Sequence, residues 1–393
     1  MKNNQNVCFV LGSFPPLFTG AGQQALSLAK ELKKQGVNVF VITTKAGACQ
    51  KEEDIEGIKV YRLAVNSSPC NKGLDFAPKI FVALFQKRRQ YDIVHIHGAC
   101  TPFTYAAILA ARLFGKKIVV KLTLFGDDDP YSLSQRRCGK IFLRVLSWVN
   151  RIIGLSEVFR HSYLKTGLPS KAYSQIPNGV DTQKFSPLES LEQKQKSKKQ
   201  LGFDLNCKIL VFVGAICKRK GVDFLVDVFS RVAQNDQSVS LVLVGPVEDE
   251  DYLTEIKQKV HQWGGDKRLV FIGKTDNVED FLKIADVFVF ASLREGFPNA
   301  LVEAMACGLP VVVSNIQGIT EAIVASGQEG FLIPPGDSAA FTVALTKLLS
   351  NEKLASQMGG QARRKIEKKF SISSVAERYL LVYNDLLGVK LYE

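Results

Sequence analysis

Two carboxylates and a predicted helix start lie close together in residues 285–314. Glu295 belongs to a polar loop, whereas Asn299 and Glu303 lie four residues apart in the helical segment that follows and therefore share one helix face. A loop that leads from a buried strand into a helix presents backbone N–H groups that bind anions. Two carboxylates placed together beside such a site are not expected to be there for the stability of the fold. Their presence indicates a binding or catalytic function.

Three consecutive cations, Lys218, Arg219 and Lys220, precede Gly221 and a predicted helix. They form either an exposed, solvated turn or a clamp on a diphosphate. In the second case each charge-assisted hydrogen bond contributes roughly 1.5–3 kcal/mol. A loop with two glycines at positions 20–22 follows the first predicted strand, and such glycines let the backbone approach a phosphate. A plain tight turn is the alternative there.

An acidic run and a histidine pair are further candidates. Asp127–Asp129 contains the Asp-x-Asp pattern that binds Mg²⁺ or Mn²⁺, but an acidic helix cap before Pro130 is the preferred interpretation. His95 and His97 alternate along a predicted strand and so share one face. No third ligand accompanies them, which favours a strand-end His97 facing the ligand cleft over a metal site.

Strand and helix signals alternate through two successive series. The first runs from a buried-type strand at 7–11 to another at 172–176, and the second begins at 209–213. Residues 186–203 between them are polar and lysine-rich, which is typical of a surface linker or a solvated helix. This pattern predicts an α/β protein of two Rossmann-like, doubly wound parallel-sheet domains facing a cleft. The predicted boundaries are an N-terminal domain at 1–181, a linker at 182–205, a C-terminal domain at 206–370, and a helix at 371–393 that packs back toward the N-terminal domain.

Bulk properties narrow the class of protein. The 393 residues are 46% hydrophobic and 23% charged, as in ordinary globular proteins, and no apolar run approaches the roughly 20 residues that span a bilayer. The N-terminus does not predict a signal peptide. The eight cysteines contain no C-x-x-C pair, so reduced thiols in a cytoplasmic protein are expected. They lie at positions 8, 49, 70, 100, 138, 207, 217 and 307.

The net charge of +13 calls for an anionic partner. Nucleotides, an anionic membrane surface and nucleic acid all fit the charge, but no nucleic-acid recognition motif is present. Residues 134–153 mix arginine and lysine with apolar residues, and Lys79 and residues 87–89 add further basic charge. A buried helix with a basic edge is the ordinary interpretation of this segment. A basic amphipathic face on an anionic membrane is the other.

Taken together, these motifs resemble the retaining nucleotide-sugar glycosyltransferases of the GT-B fold, family 4. The most specific part is the Glu-x7-Glu motif from Glu295 to Glu303, set in REGFPNALVEAMACGLPVV. Lys220-Gly221 matches the family's diphosphate-binding lysine–glycine, and residues 176–181 look like the segment that closes its first domain. The resemblance extends from the glycine loop at 20–22 to the segment 330–334.

The resemblance implies a role for each matched residue. Glu303 would bind the donor ribose, and Glu295 would bind the transferred sugar and stabilise an oxocarbenium-like transition state. Lys220, helped by Arg219, would stabilise the leaving diphosphate. The backbone around the remaining positions would complete the donor site: Gly20, Gly22, Gly296, Phe297, Asn299 and Ala300.

Two positions depart from the family pattern. Ala215 stands where the family usually has arginine, and Phe125 stands where it commonly has histidine. His97 is therefore the expected substitute on the acceptor side and the third predicted catalytic residue, beside Glu295 and Lys220. Alternatives to a transferase are an inactive glycosyltransferase-like partner subunit and a GT-B-like sugar-nucleotide epimerase.

The expected reaction moves a sugar from a UDP- or GDP-sugar to a hydroxyl of a glycan or lipid-linked glycan, in cell-surface polysaccharide or glycoconjugate synthesis. By the resemblance, the enzyme would need neither a metal nor another cofactor, because cations and helix dipoles neutralise the leaving group. The expected location is cytoplasmic, with peripheral attachment to the inner face of the cell membrane as a separate expectation.

Overall fold

The computed structural model describes residues 5–17, 19–45, 47, 49–65 and 72–389. Cys70, Phe18 in the first predicted loop and positions 390–393 of the predicted C-terminal helix lie outside the described residues. Contacts divide the chain into two units. The first contains the chain up to Gly179 together with the residues from Ile372 onward, and the second is Val180–Ser371.

In the described part of the first unit, eight strands form one sheet in the order β3-β4-β2-β1-β5-β6-β7-β8. All neighbouring strands are parallel except β3 and β4, which are antiparallel. The strands are β1 Asn6–Val10, β2 Asn38–Thr44, β3 Glu52–Ile55, β4 Ile58–Leu63, β5 Ile93–His97, β6 Lys117–Lys121, β7 Arg151–Gly154 and β8 Tyr173–Gln175. The helices are α1 Gly20–Lys34, α2 Lys72–Gln86, α3 Pro102–Leu113, α4 Pro130–Ser134, α5 Gly139–Leu146, α6 Glu157–Leu164 and, from the chain end, α14 Ile372–Leu387.

The C-terminal helix α14 completes the core of the first unit. Val375, Ala376 and Tyr379 are buried in one cluster with residues of α1 and of the central strands. Gly179 makes the approach of α14 close, because a Cβ there would lie 2.8 Å from Ile372 Cα. The chain therefore returns to its first domain after it has completed its second.

The second unit contains a sheet of six parallel strands in the order β11-β10-β9-β12-β13-β14. Its central strands are buried apolar runs, as expected for a parallel sheet covered on both faces. The strands are β9 Lys208–Val213, β10 Val239–Val244, β11 Leu269–Gly273, β12 Val287–Phe290, β13 Val311–Ser314 and β14 Gly330–Ile333. The helices are α7 Leu191–Gln200, α8 Val222–Asn235, α9 Glu250–Gln262, α10 Val278–Ile284, α11 Asn299–Ala306, α12 Ser338–Ser350 and α13 Glu352–Lys369.

The two doubly wound sheets confirm the fold class expected from the sequence. Several elements differ from the sequence interpretation. Residues 186–203 contain the helix α7, so of the two interpretations of this segment the helical one holds. Lys194 Nζ of α7 lies 2.7 Å from Asp286 Oδ1. Strand β3, which pairs antiparallel with the predicted strand β4, and the helix α13 have no counterpart in the sequence-based assignment.

The seven described cysteines are free thiols, and Cys8 and Cys307 are buried. Within the described ranges, no helix combines the length and the apolar character that crossing a membrane requires.

Candidate functional site

Sheet topology singles out one edge of the second unit. From β9 the chain winds to β10 and β11 on one side, and then returns to place β12 on the other side of β9. The carboxyl ends of β9 and β12 therefore flank the point where the winding reverses, and open α/β sheets bind ligands at this point. The loop after β9 carries the three cations, and the loop after β12 carries Glu295.

The cations occupy a 3₁₀ turn, Lys218–Lys220, that ends at Gly221. Gly221 has a left-handed backbone with φ of 64°, and a Cβ on it would lie 2.5 Å from the Ala291 carbonyl oxygen. Only glycine fits this close approach of two loops. The backbone also joins them, since Leu293 N–H donates to the Arg219 carbonyl over 3.0 Å.

Glu295 lies at the centre of a charge cluster. Its Oε1 accepts from Lys220 Nζ at 2.6 Å and from an Arg219 Nη at 3.5 Å. Glu295 is 6% exposed, and Lys220 also lies 5.3 Å from the centroid of the Phe290 ring. Among the residues with described positions, none forms a hydrogen bond or an ion pair with Glu295 Oε2. The turn is thus neither fully exposed nor fully solvated: Lys218 faces solvent, whereas Lys220 is held against a buried carboxylate.

The start of α11 adds unsatisfied donors to this edge. Pro298 precedes the helix, and no side chain caps it. The Asn299 N–H donates to the Phe297 carbonyl at 3.0 Å. The N–H groups of Gly296, Phe297 and Ala300 make no hydrogen bond to any described residue. A helix start with free N–H groups favours electronegative oxygens of a ligand.

Glu303 lies one turn further along α11 and is only partly exposed. Burial raises the pKa of the Glu303 carboxyl to about 7, which Lys184 opposes and Glu279 reinforces. Lys184 and Glu279 themselves form an ion pair at 3.3 Å. Glu303 therefore changes charge near neutral pH, which is unusual for a carboxyl group and typical of functional sites.

A pocket of about 440 Å³ opens beside the same turn. Lys218, Gly221 and Leu293 line it together with Asp223 and Tyr252. Glu295, Lys220 and Glu303 do not line it. The charge cluster, and not this pocket, therefore marks the candidate site.

The first unit holds the other predicted positions. Gly20 and Gly22 do not form the expected loop, because α1 begins at Gly20 with Thr19 as its N-cap. The Thr19 hydroxyl accepts from the Gly22 N–H at 3.1 Å. A Cβ on Gly22 would lie 2.9 Å from the Ser13 carbonyl oxygen, so the preceding loop passes too close for any larger residue. The glycines serve a tight helix entry.

His97 ends β5 and shares a face with His95, as the alternation predicted. Their rings stack at 4.5 Å between centroids, and the Phe9 ring lies 5.0 Å from His97. His97 is 5% exposed, and its Nε2 has no hydrogen-bond partner in the described structure. Burial lowers the pKa of His97 well below its ordinary value, and His95 and Lys121 add to this effect. His97 is therefore neutral at physiological pH.

Sequence reasoning missed Lys121, the last residue of β6. It is 4% exposed and pairs in register with His97 on the neighbouring strand. Burial lowers the pKa of Lys121 to about 7. The available signal was a lysine directly after the apolar run Ile118–Val120 of a buried strand. Charged residues are rarely fully buried without a partner, so a lysine at such a position indicates a candidate functional residue.

Asp128 and Asp129 of the acidic run have structural roles, as the preferred interpretation stated. Asp129 caps α4 by accepting from the Ser132 N–H, and its other oxygen accepts from the Gly126 N–H. Asp128 accepts from the N–H groups of Thr123 and Leu124. In the described ranges, no three His, Cys, Asp or Glu side chains form a group that could hold a metal ion.

Eleven predicted site residues thus fall into two sets. Those of the second unit meet around the switch point: Arg219, Lys220, Glu295, Gly296, Phe297, Asn299, Ala300 and Glu303. Those of the first unit lie at the start of α1 and the end of β5: Gly20, Gly22 and His97.

Comparison with protein families gives matches to both halves of the chain. Residues 18–184 match the profile described as Glycosyltransferase Family 4, and residues 193–365 match Glycosyl transferases group 1. The second range contains Glu303 and the charge cluster of Arg219, Lys220 and Glu295, and the first contains Gly20, Gly22 and His97.

Two relatives align over nearly the full chain. The N-acetyl-alpha-D-glucosaminyl L-malate synthase of Bacillus anthracis is 25% identical over 374 residues, which are 95% of each protein. The UDP-Gal:alpha-D-GlcNAc-diphosphoundecaprenol alpha-1,3-galactosyltransferase of Escherichia coli is 27% identical over 381 residues, again 95% of each.

A solved structure shows the same fold. The Anabaena protein Alr3699/HepE, in complex with UDP and glucose, superposes with a TM-score of 0.80 at 18% identity. The superposition covers 97% of this chain and 100% of that one.

Proposed function

Because the chain belongs to the family 4 glycosyltransferases with the GT-B fold, we propose that it transfers a sugar from a UDP- or GDP-sugar to an acceptor hydroxyl with retention of anomeric configuration. The enzyme is a glycosyltransferase of the hexosyltransferase type. The proposed acceptor is a glycan or a lipid-linked glycan. One relative carries a diphosphoundecaprenol acceptor in its name, which supports this class.

The observation that carries the proposal is the pairing of Glu295 with Lys220. The ion pair at 2.6 Å uses Glu295 Oε1 alone, so Oε2 is free for a sugar hydroxyl. The ammonium of Lys220 has three N–H donors, and one of them suffices for Glu295. The others can bind phosphate oxygens of the leaving diphosphate. One pair of side chains therefore addresses the sugar and its leaving group together.

The donor fits the rest of this edge. The free N–H groups at the start of α11 suit the sugar hydroxyls, and the carboxyl of Glu303 suits the ribose hydroxyls. Structures of Alr3699/HepE contain UDP and glucose, which favours uridine among the bases. Cationic and helix-dipole stabilisation of the diphosphate supports a reaction without a metal.

In the proposed mechanism, bond breaking precedes most of the bond making. The bond from the sugar to the diphosphate breaks, and its electrons go to a phosphate oxygen that Lys220 and Arg219 stabilise. Positive charge then develops on the sugar, and the Glu295 carboxylate stabilises it electrostatically. The acceptor oxygen attacks from the face that the diphosphate leaves, and the departing phosphate oxygen takes its proton.

Nucleotide release and product stereochemistry test this proposal. We expect UDP or GDP release from a panel of nucleotide sugars with glycan and lipid-linked acceptors, and a product whose anomeric proton keeps the donor's configuration by NMR. Glu295→Ala and Lys220→Ala should each reduce turnover about 10²-fold or more, whereas Lys218→Ala on the same turn is the matched control. An inverted product refutes the retaining mechanism. Near-normal turnover in both site variants refutes the assignment of the site.

We further propose that the first unit rests on an anionic membrane surface at the inner face of the cell membrane. Large apolar side chains are exposed on neighbouring helices of this unit. Leu113 on α3 is 64% exposed, and Ile141 on α5 is 63% exposed. Helices α3 and α5 join through the stacked rings of Tyr105 and Phe142. Val82 and Phe85 extend the apolar surface onto α2.

Basic residues border this apolar surface. The Arg88 guanidinium lies 4.2 Å from the Phe85 ring centroid, and Arg112 lies 5.0 Å from the ring of Trp148. Lys140 and Arg144 lie on α5 itself. An apolar face with a basic border matches the chemistry of an anionic lipid interface.

Vesicle flotation tests the membrane proposal. The protein should float with vesicles that contain anionic phospholipid and remain behind with purely zwitterionic ones. Ile141→Asp should abolish flotation. Leu191→Asp, at a residue that is 72% exposed in the second unit, should not. Flotation that is independent of lipid charge, or equal loss in both variants, contradicts this surface.

A further inference from the structure

His97 and Lys121 are two buried polar side chains that the fold leaves unpaired. They end adjacent parallel strands and are register partners, so both lie at the carboxyl edge of the first sheet. His97 is 5% exposed and Lys121 is 4% exposed. His95 and Val119, two residues earlier on the same two strands, are also register partners, so each strand keeps the same alternation of side chains between the two faces. The two polar groups therefore share one face of the sheet.

Neither the Lys121 ammonium nor the His97 Nε2 has a hydrogen-bond or ion-pair partner in the described structure. No carboxylate lies within ion-pair distance of the Lys121 ammonium, and it donates no hydrogen bond to any described residue. The His97 Nε2 is likewise without a hydrogen-bond partner there. Burying an ammonium without a counter-charge costs several kcal/mol and gives the fold nothing in return. Such an arrangement is understandable if a ligand supplies the missing anion.

The position of the pair is that of a ligand site. The first sheet reverses its winding between β1 and β5, because β2 and β4 lie on one side of β1 and β5 to β8 lie on the other. His97 ends β5 at this switch point, and Lys121 ends the next strand. Two residues beyond the end of the following strand, β7, Ser156 has a buried hydroxyl without a hydrogen-bond partner in the described structure and does not cap α6. Polar side chains without a hydrogen-bond partner in the described structure thus lie at or just after the ends of three neighbouring strands.

We propose that Lys121 and His97 form an oxyanion site that holds a phosphate or carboxylate group of the acceptor substrate. This inference rests on the proposed function and adds to it that the acceptor carries such a group close to the hydroxyl that reacts. The names of the two relatives contain one of each kind, a malate and a diphospholipid. The site positions the acceptor and takes no part in bond breaking.

The environment of Lys121 makes the site responsive to its ligand. Near neutral pH the lysine is only partly protonated, because burial lowers its pKa to about 7. The imidazoles of His95 and His97 are the titratable neighbours on β5, and both are neutral at this pH. A bound oxyanion favours the protonated ammonium, since an opposite charge within about 4–6 Å shifts a pKa by 1–3 units.

NMR of the full-length protein labelled with ¹³Cε-lysine tests the inference. The resonance missing from Lys121→Met identifies Lys121. Inorganic phosphate and L-malate are then titrated separately at pH 7, with chloride maintaining the ionic strength. We expect a saturable shift of the Lys121 resonance toward the protonated form with at least one of the two anions. Lys117, at the other end of β6 and partly exposed, is the internal reference and should not move.

The two anions distinguish the chemistry of the acceptor group. A response to phosphate alone supports a phosphorylated acceptor, and a response to malate alone supports a carboxylate. No response to either anion overturns the site. A complete shift caused by UDP alone also overturns it, because the oxyanion would then belong to the donor.

Thermal unfolding separates this inference from a structural role and from the proposed donor site. Lys121→Met removes an unpaired buried charge, so its melting temperature should equal or exceed that of the wild type. It should also retain UDP binding, since the proposed uridine and diphosphate contacts of Glu303 and Lys220 lie in the second unit. A marked loss of thermal stability, with Lys117→Met unaffected, would show that Lys121 supports the fold instead. If the wild type does not bind UDP, the proposed function fails while the anion titration remains decisive.

Discussion

The unusual titration of Glu303 leads to a prediction about donor binding. If its carboxylate accepts hydrogen bonds from the ribose, the ionised form should bind the donor more tightly than the protonated form. The Glu303→Gln variant keeps the size and one acceptor oxygen of the side chain but cannot ionise. It should bind the donor more weakly than the wild type at pH 8 and show no dependence on pH.

The magnitude follows from the raised pKa. A carboxyl group with a pKa of about 7 is about one-tenth ionised at pH 6 and about nine-tenths ionised at pH 8. Affinity that requires the carboxylate therefore falls about tenfold between pH 8 and pH 6, which corresponds to about 1.4 kcal/mol.

The same shift affects stability. The folded pKa lies above the ordinary value of 4.5, so the folded protein loses stability as the pH rises from about 4.5 through about 7. The loss is at most about 3 kcal/mol, and Glu303→Gln should abolish this part of the pH dependence.

Isothermal titration with UDP-glucose at pH 6 and pH 8 measures the effect, because the phosphates of this donor do not titrate in that range. Glu279→Gln provides a second variant: removal of this neighbouring carboxylate lowers the pKa of Glu303, so the loss of affinity should move to lower pH. Equal wild-type affinity at both pH values would refute the reasoning. So would an unchanged pH dependence in Glu303→Gln.

Three further predictions concern the two loops of the candidate site and the cap of α4. Gly221→Ala should destabilise the protein by roughly 1–3 kcal/mol and weaken nucleotide binding, because its Cβ would meet the Ala291 carbonyl at 2.5 Å; thermal shift with and without UDP measures both. Lys220→Met should lower the melting temperature more than the double variant Lys220→Met/Glu295→Gln, since the single change leaves a buried carboxylate with Arg219 only; additive effects would contradict the pairing. Asp129→Ala should cost about 1 kcal/mol or more through loss of the α4 cap, as measured by chemical unfolding.

Local pattern was sufficient to predict the strand, loop and helix around Glu295. A short apolar run, a polar loop and Pro298 before a helical segment each have a direct conformational meaning. The ion pair from Glu295 to Lys220 joins residues 75 positions apart and depends on β9 and β12 being neighbours. That adjacency comes from sheet topology, which spacing along the chain does not contain.

The errors have equally local causes. The glycines at 20–22 suggested a loop, but Thr19 caps the helix early and brings them into its first turn. Strand β3 has the sequence EEDI, and its three acidic residues do not form the apolar pattern by which a strand is recognised, although it pairs with β4. Lys121 directly follows the apolar run Ile118–Val120, and its burial without a partner is visible only in the folded structure.

The central claim is that Lys220 binds the diphosphate of a nucleotide donor at the switch point of the second unit. The most direct measurement is the affinity of UDP for the wild type, Lys220→Met and Lys218→Met by isothermal titration. Lys218 lies on the same turn but faces solvent, so its variant changes the net charge equally without removing the proposed contact. We predict a loss of about tenfold or more for Lys220→Met and near wild-type affinity for Lys218→Met. Equal affinities in the two variants would contradict the account.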